Sequence, residues 1–215
     1  MTDTPAAPRY YKSLGQDRQP HHGGRGQWPE PGTWLEVAGT IIPCKHGLHL
    51  CTEAQLLSWL GPTIWEVEAG GPVVDAGDKC VTARARLLRQ LPWDERSARL
   101  FAADCAEHVL HQFTAVRPAD RRPARAIAAA RAFARGEIDA AARAAAGAAA
   151  RDAAQDAARA AARDAAQDAA GAAARAAAGD AAWDAAWDAE KRWQTTRLLA
   201  YLDGRVTETA AVVPQ

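Results

Sequence analysis

The chain has 215 residues, 26 of them basic and 26 acidic, so its formal net charge is zero. A protein that holds nucleic acid mainly through phosphate contacts needs a basic surplus, so global charge argues against nucleic acid as a partner. The hydrophobic fraction of 48% is inflated by alanine, which fills 31 of the 50 positions from 140 to 189 and adds helix propensity with little burial.

Met1 to Gly15 lacks the basic-then-apolar run of an export signal. No stretch approaches the roughly 20 uncharged apolar residues of a membrane span. Cys44, Cys51, Cys80 and Cys105 therefore read as reduced thiols of a cytoplasmic protein, with no disulfide between Cys44 and Cys51. Arginine outnumbers lysine 22 to 4, which a GC-rich genome would also produce.

Residues 1–32 form an arm and loop rich in Pro, Gly and charge, with Tyr10 and Tyr11 able to begin a strand. Trp34 to Cys44 and Gly47 to Cys51 read as short strands. Glu53 to Leu60 reads as one short helix stopped by Gly61-Pro62. Thr63 to Glu68 and Lys79 to Leu88 alternate, the latter with Cys80, Thr82, Arg84 and Arg86 opposite Val81, Ala83, Ala85 and Leu87. Up to Trp93 there are nine basic and nine acidic residues. Asp94 can cap a helix running to about Thr114, with Phe101, Cys105, His108 and Phe113 near one face. Arg117-Pro118 breaks the chain. Asp120 can cap a second helix, with Pro123 in its first turn and Gly136 at its end.

From Ala140 the sequence repeats as Ala-Ala-(Arg/Gln/Gly/Trp)-(Asp/Ala), and RDAAQDAARAAA at 151–162 returns as RDAAQDAAGAAA at 163–174. Such a stretch is helical by propensity alone. Four residues at 100° each make the marked column drift about 40° per unit, which no coiled-coil stripe follows for a dozen units. Either helix breaks reset the phase, with Gly147, Gly171 and Gly179 as candidates, or one continuous helix changes its partner contacts along its length. A column of Arg and Gln lies beside a column of Asp, with few favourable pairs within one helix, such as Asp156 with Arg159 and Asp188 with Lys191 or Arg192. These columns suit either a solvated surface or pairing across to a neighbouring helix.

The expected fold is α+β: a small, mostly antiparallel β-rich N-terminal module followed by an Ala-rich all-helical C-terminal region. The expected boundaries are 1–32 (arm and loop), 33–93 (β-rich module), 94–136 (two short helices), 137–204 (tetrad-repeat helices) and 205–215 (tail).

Two resemblances add to this. YKSL, GQWPEPGTWLEV, CKHGLHLC, TIWEVEA and DKCVTARARLL, within residues 10–93, resemble a small domain family of unknown function common in phage and bacterial genomes. Its most regular motif, Gly-aromatic/Leu-His-x-Cys, corresponds to Gly47, Leu48, His49 and Cys51. Residues 99–136, RLFAADCAEHVLHQF and RPADRRPARAIAAARAFARGE, resemble the start of a toxin-immunity protein family whose members continue into Ala-rich helices. This chain departs from that family by its near-pure tetrad repeat. The likenesses imply an immunity-like or phage-associated role and carry no catalytic activity with them.

Three places offer chemistry. Cys44, His46, His49 and Cys51 are the right ligand types for tetrahedral zinc, but their crowded spacing is not that of a finger. Packing is the preferred reading there, with Leu48 and Leu50 on one side of a strand and His49 and Cys51 on the other, and no metal is expected. His49 with Cys51 or Cys80 could also form a thiolate–imidazole pair, without any visible third group. Arg84 and Arg86, on the face of Cys80, could line a nucleotide or phosphate pocket, although alternate Arg on a strand is more often solvated. Asp104, Cys105, Glu107, His108 and His111 share one helix, with i,i+4 acid–His pairs that commonly occur without metal. Finally, Trp183, Trp187 and Trp193, followed by Leu198, Leu199, Tyr201 and Leu202, are the largest apolar groups after so much alanine. They are read as anchors of the last helix, or else as an exposed binding patch.

The leading function from sequence is a non-enzymatic interaction module that needs no cofactor. Its partner is a protein, or a second copy engaged through the Ala-rich helices. The alternative is a Cys/His-dependent enzyme or a small-ligand or nucleotide binder centred on His49, Cys51 and Cys80. Ice binding, a third idea from the Ala-rich helices, is opposed by the lack of regularly spaced Thr.

Overall fold

The computed structural model describes residues 8–206 except Asp168, with the side chains of 156–184 left undescribed. The fold is α+β, with antiparallel sheets in the first 90 residues and helices from 95 to 202. The strands are β1 (Tyr10–Leu14), β2 (Leu35–Glu36), β3 (Leu48–Leu50), β4 (Thr63–Ala69), β5 (Val73–Asp75), β6 (Cys80–Thr82) and β7 (Arg84–Gln90). The helices are α1 (Glu95–His108), α2 (Leu110–Val116), α3 (Arg122–Ala134), α4 (Ala140–Gln167) and α5 (Ala169–Leu202). Among the described residues the chain divides into two units, 8–95 with 194–206, and 96–193, so the boundary falls inside α5.

In the first unit, a four-stranded sheet runs β1-β4-β7-β2 and a three-stranded one runs β3-β6-β5, every pairing antiparallel. Alternation places Leu14, Trp65, Val67, Ala85 and Leu87 on one face of the larger sheet. There they join Trp28, Leu48, Leu50 and Cys80 in one buried cluster drawn from both sheets. Across this face Lys12 stands opposite Trp65 and Tyr10 opposite Val67. Tyr11 and Ile64, both wholly buried, point to the other face. The end of α5 adds Leu198, Tyr201 and Leu202, also buried, and Tyr201 meets Trp93 edge-on at 6.5 Å. Arg9 ties Glu66 of β4 (3.3 Å) to Asp203 just past α5 (3.6 Å).

Several elements differ from the sequence expectation. Trp34 to Cys44 is not one strand: Leu35–Glu36 joins β7, Ile42 forms a single bridge to His46, and Gly39 at φ +100° and Cys44 at φ +64° turn the chain between and after them. Glu53 to Leu60 contributes only a 3-10 helix at Leu56–Trp59, ended as expected before Gly61-Pro62. Lys79 to Leu88 is two strands, since the chain changes sheets at Ala83. The buried Thr82 hydroxyl donates to the carbonyls of Pro72 (3.0 Å) and Arg84 (3.3 Å) and fastens that crossing. Strand β5 was not foreseen.

In the second unit, α1 ends at His108 and α2 begins at Leu110, where one helix to Thr114 was expected. Asp120, just ahead of α3, accepts the Arg122 N–H at 3.0 Å. Hydrogen bonding to Arg122 holds its carboxyl down at about 2. Gly136, at φ +75°, ends α3 in the left-handed conformation that glycine adopts freely. Asp139 then takes the Ala142 N–H at 2.8 Å and opens α4. Gly147, Gly171 and Gly179 lie inside helices and break none of them. One glycine costs about 1 kcal/mol against alanine, too little to interrupt a helix whose other residues all favour it.

Candidate functional site

The acid–histidine helix α1 is occupied by an arginine. Arg131 of α3 donates to Asp104 at 2.7 Å and to both Glu107 oxygens at 2.9 and 2.6 Å. These partners push the guanidinium pKa up, the Glu107 hydrogen bonds being the largest cause. His108 takes Glu190 at 2.6 Å through Nδ1 and stacks on Trp193, centroids 3.7 Å apart and planes 10° from parallel. His111 Nδ1 donates to the His108 carbonyl at 2.9 Å. Cys105 is half-buried. So these side chains serve helix–helix contacts.

The tryptophans separate. Trp193 packs against His108. Trp187 is 55% exposed, with the Lys191 ammonium 5.5 Å from its ring, and therefore anchors nothing. It shares a helix face with Leu198 by spacing, yet Leu198 is wholly buried. The Trp183 side chain lies outside the described residues.

The Cys44–Cys51 segment is built as a turn and a strand. Ile42 and His46 pair around Cys44, exchanging two backbone hydrogen bonds of 2.8 Å. His46 Nε2 donates to the Ala38 carbonyl at 2.7 Å. His49 Nε2 accepts the Cys44 N–H at 3.1 Å. Each imidazole thus spends a ring nitrogen on local backbone, and no group of three His, Cys, Asp or Glu among the described residues is arranged to hold a metal. As expected of the strand, Leu48 and Leu50 turn into the core. Cys51 is buried, and burial pushes its thiol up to about 11. Cys80 is also raised by burial and donates to Gln55 at 3.5 Å. A catalytic thiol needs the opposite shift, and no hydrogen bond joins His49 to either sulfur among the described residues. The four cysteines are not joined in disulfides.

Arg84 and Arg86 do not share a site with Cys80, because the crossing at Ala83 puts them in different sheets. Both guanidinium groups stack over Trp34, at 4.1 and 4.6 Å, and pair with Glu36 and Glu68.

The first unit instead contains a cleft of about 860 Å³. Separate stretches of chain line it: β1 at Lys12 and Ser13, the glycine-rich loop from Pro20 to Trp28, Leu35 and Val37, the Cys44–Cys51 segment, and a rim of Trp59 and Lys79. Its wall is apolar at Trp28, Leu35, Val37 and Leu48. The glycine-rich loop is tied down at its base, where Arg18 at φ +62° pairs with Glu30 and donates to the Trp28 carbonyl. His21 Nε2 meets the Ser13 hydroxyl at 2.8 Å, and His22 donates to the Leu60 carbonyl at 3.2 Å. The lining includes Lys12, His21, His22, Arg25, Lys45, His46, His49 and Lys79, and no Asp or Glu.

Electrostatics follows from that lining. Burial, then the nearby His22 and Lys12, lower the His21 pKa. Burial, then Lys12 and Lys79, lower that of His49. Burial lowers Lys12 itself. Its ammonium lies 5.7 Å from the Trp28 ring and forms no ion pair among the described residues. Lys79 is committed to Asp78 at 3.0 Å and raised by that hydrogen bond. Sequence reasoning missed this cleft. One signal was present: three of the chain's four lysines and four of its six histidines line it.

The described helices include none long and apolar enough to cross a membrane. No curated protein and no solved structure gives a significant match to the chain. Residues 9–99 match the family described as "Domain of unknown function (DUF7666)", and residues 93–186 match the one described as "Imm-5 like putative immunity protein". The chain thus joins a β-rich part similar to a domain family of unknown function to a helical part similar to immunity proteins.

Proposed function

We propose that the chain is a non-enzymatic immunity protein that neutralises a protein toxin by binding it through the helical unit. The match of residues 93–186 to the immunity family carries this reading. Two features support it. Trp187 is a large, exposed aromatic side chain on α5, the residue type most enriched at binding hot spots. The buried thiols, pushed up rather than down, do not favour a cysteine enzyme. On this reading the toxin is encoded beside the chain, in a phage or bacterial genome.

The test is growth rescue. The full chain is expressed with the toxin encoded by its neighbouring gene, and the complex is isolated by size-exclusion chromatography. Rescue with a stoichiometric complex is expected. Trp187→Ala should weaken both while leaving thermal unfolding unchanged. Absence of rescue and complex would overturn the reading. Light scattering of the isolated chain separates toxin binding from self-association through the Ala-rich helices.

A further inference from the structure

The lining of the cleft in the first unit calls for an anion. A cavity of this size falls within the roughly 300–1,000 Å³ of small-molecule sites, which combine apolar walls with a few convergent polar groups. Lys12, Arg25 and Lys45 all line it, and none of the three has a carboxylate partner among the described residues. Lys12 is half-buried on β1 and faces the apolar core side, where an uncompensated ammonium is costly. An incoming anion removes that cost. The glycine-rich loop lines the same cleft, and its Gly23, Gly24 and Gly26 all sit at positive φ. Runs of backbone N–H in such loops form concave anion seats.

We propose that this cleft binds a phosphorylated small molecule of nucleotide size, its phosphate taken by Lys12, Arg25 and Lys45 and its remaining moiety by the wall of Trp28, Leu35, Val37 and Leu48. Both residue types suit phosphate: Lys12 and Lys45 bring compact point charges and Arg25 a planar fork of donors. Burial lowers the proton affinity of both Lys12 and His49, and at His49 the nearby Lys12 and Lys79 add to it. A polymeric nucleic acid is disfavoured, because the nine basic residues up to Trp93 are balanced by nine acidic ones and no extended basic stripe results.

Isothermal titration of the full chain with ADP, GDP, CDP and UDP in turn tests this, with inorganic phosphate, adenosine and a twelve-nucleotide single strand as separate arms. At least one nucleotide should bind at micromolar concentration, more tightly than phosphate or its own nucleoside. Lys12→Met, which keeps the aliphatic stem, and Lys45→Gln, on an exposed loop, should each weaken it tenfold or more. Lys191→Met, outside the cleft, should not. The exposed thiol of Cys44 lines the cleft, so bound nucleotide should also slow its alkylation relative to Cys105. Binding of no nucleotide, equal binding of adenosine, equal binding of phosphate alone, preference for the single strand, or indifference to both Lys12→Met and Lys45→Gln would each overturn the proposal. None of these arms uses the toxin, so the result is independent of growth rescue.

Discussion

The two units reach stability by different routes, and the second, rich in alanine, carries the larger fraction of nominally hydrophobic residues. In the first, β-strands bring together side chains distant in sequence, and Tyr11, Leu14, Leu50, Leu56, Ile64 and Leu87 are all essentially sealed from solvent. In the second, the buried hydrophobic residues among those described are Phe101, Ala103, Ile127 and Ala153. There, helix propensity and charged side-chain links such as Arg131 with Asp104 and Glu107 carry more of the load. Hydrophobic percentage alone ranks the two the wrong way round, because an alanine counts as much as a tryptophan while burying a fraction of the area.

Substitutions put numbers on that contrast. Trp65→Ala, in the cluster between the sheets, should lose about 3–5 kcal/mol in urea unfolding. A loss below 1 kcal/mol would break the comparison. Alkaline pH probes the same core. Cys51 holds its proton more tightly folded than unfolded, so its contribution is complete below the ordinary thiol range and disappears as pH rises to about 11. The expected loss is about 2–3 kcal/mol, or about 1.4 per pH unit. Cys51→Ala should remove it from the difference between stability curves. Tyr11, raised by burial, acts in the same direction at still higher pH.

In the helical unit the effects should be smaller. Arg131→Ala takes the guanidinium from Asp104, which is 8% exposed, and should cost about 1–3 kcal/mol. Trp187→Ala should change stability by less than about 0.5 kcal/mol, as surface substitutions do. A Trp187 effect as large as that of Trp65 would mean that the helix face is covered in solution and would erase the contrast.

Legibility in the sequence followed the range of the interactions. The stop at Gly61-Pro62, the strand beginning at Tyr10, the placement of Asp120 and the left-handed Gly136 are local choices, and local signals announced them. The crossing at Ala83 was hidden because alternation continues through it: Val81, Ala85 and Leu87 are all buried, though in different sheets. Strand β5 is three residues long behind Gly70-Gly71-Pro72, too short to leave a period. Trp187 was misplaced as an anchor because helical spacing fixes a face but not what covers it. The cleft as a whole was the least legible feature, because Lys12, Arg25, Lys45 and Lys79 meet only after four segments fold together. The sequence offers a nucleotide reading at Arg84 and Arg86, whose charges are spent on Glu36 and Glu68, and at His49, Cys51 and Cys80, of which His49 and Cys51 line the cleft.

The tetrad repeat in α4 and α5 bears on how this chain can change over generations. In most proteins a four-residue insertion within a packed element disrupts it. Here each unit is almost wholly helix-forming, and even its glycines are accommodated without a break. Adding or removing one unit would lengthen or shorten the helix by about 6 Å and rotate everything beyond it by about 40°. The repeat is thus a heritable adjuster: copy number resets the reach and bearing of residues such as Trp187 while leaving their identities untouched.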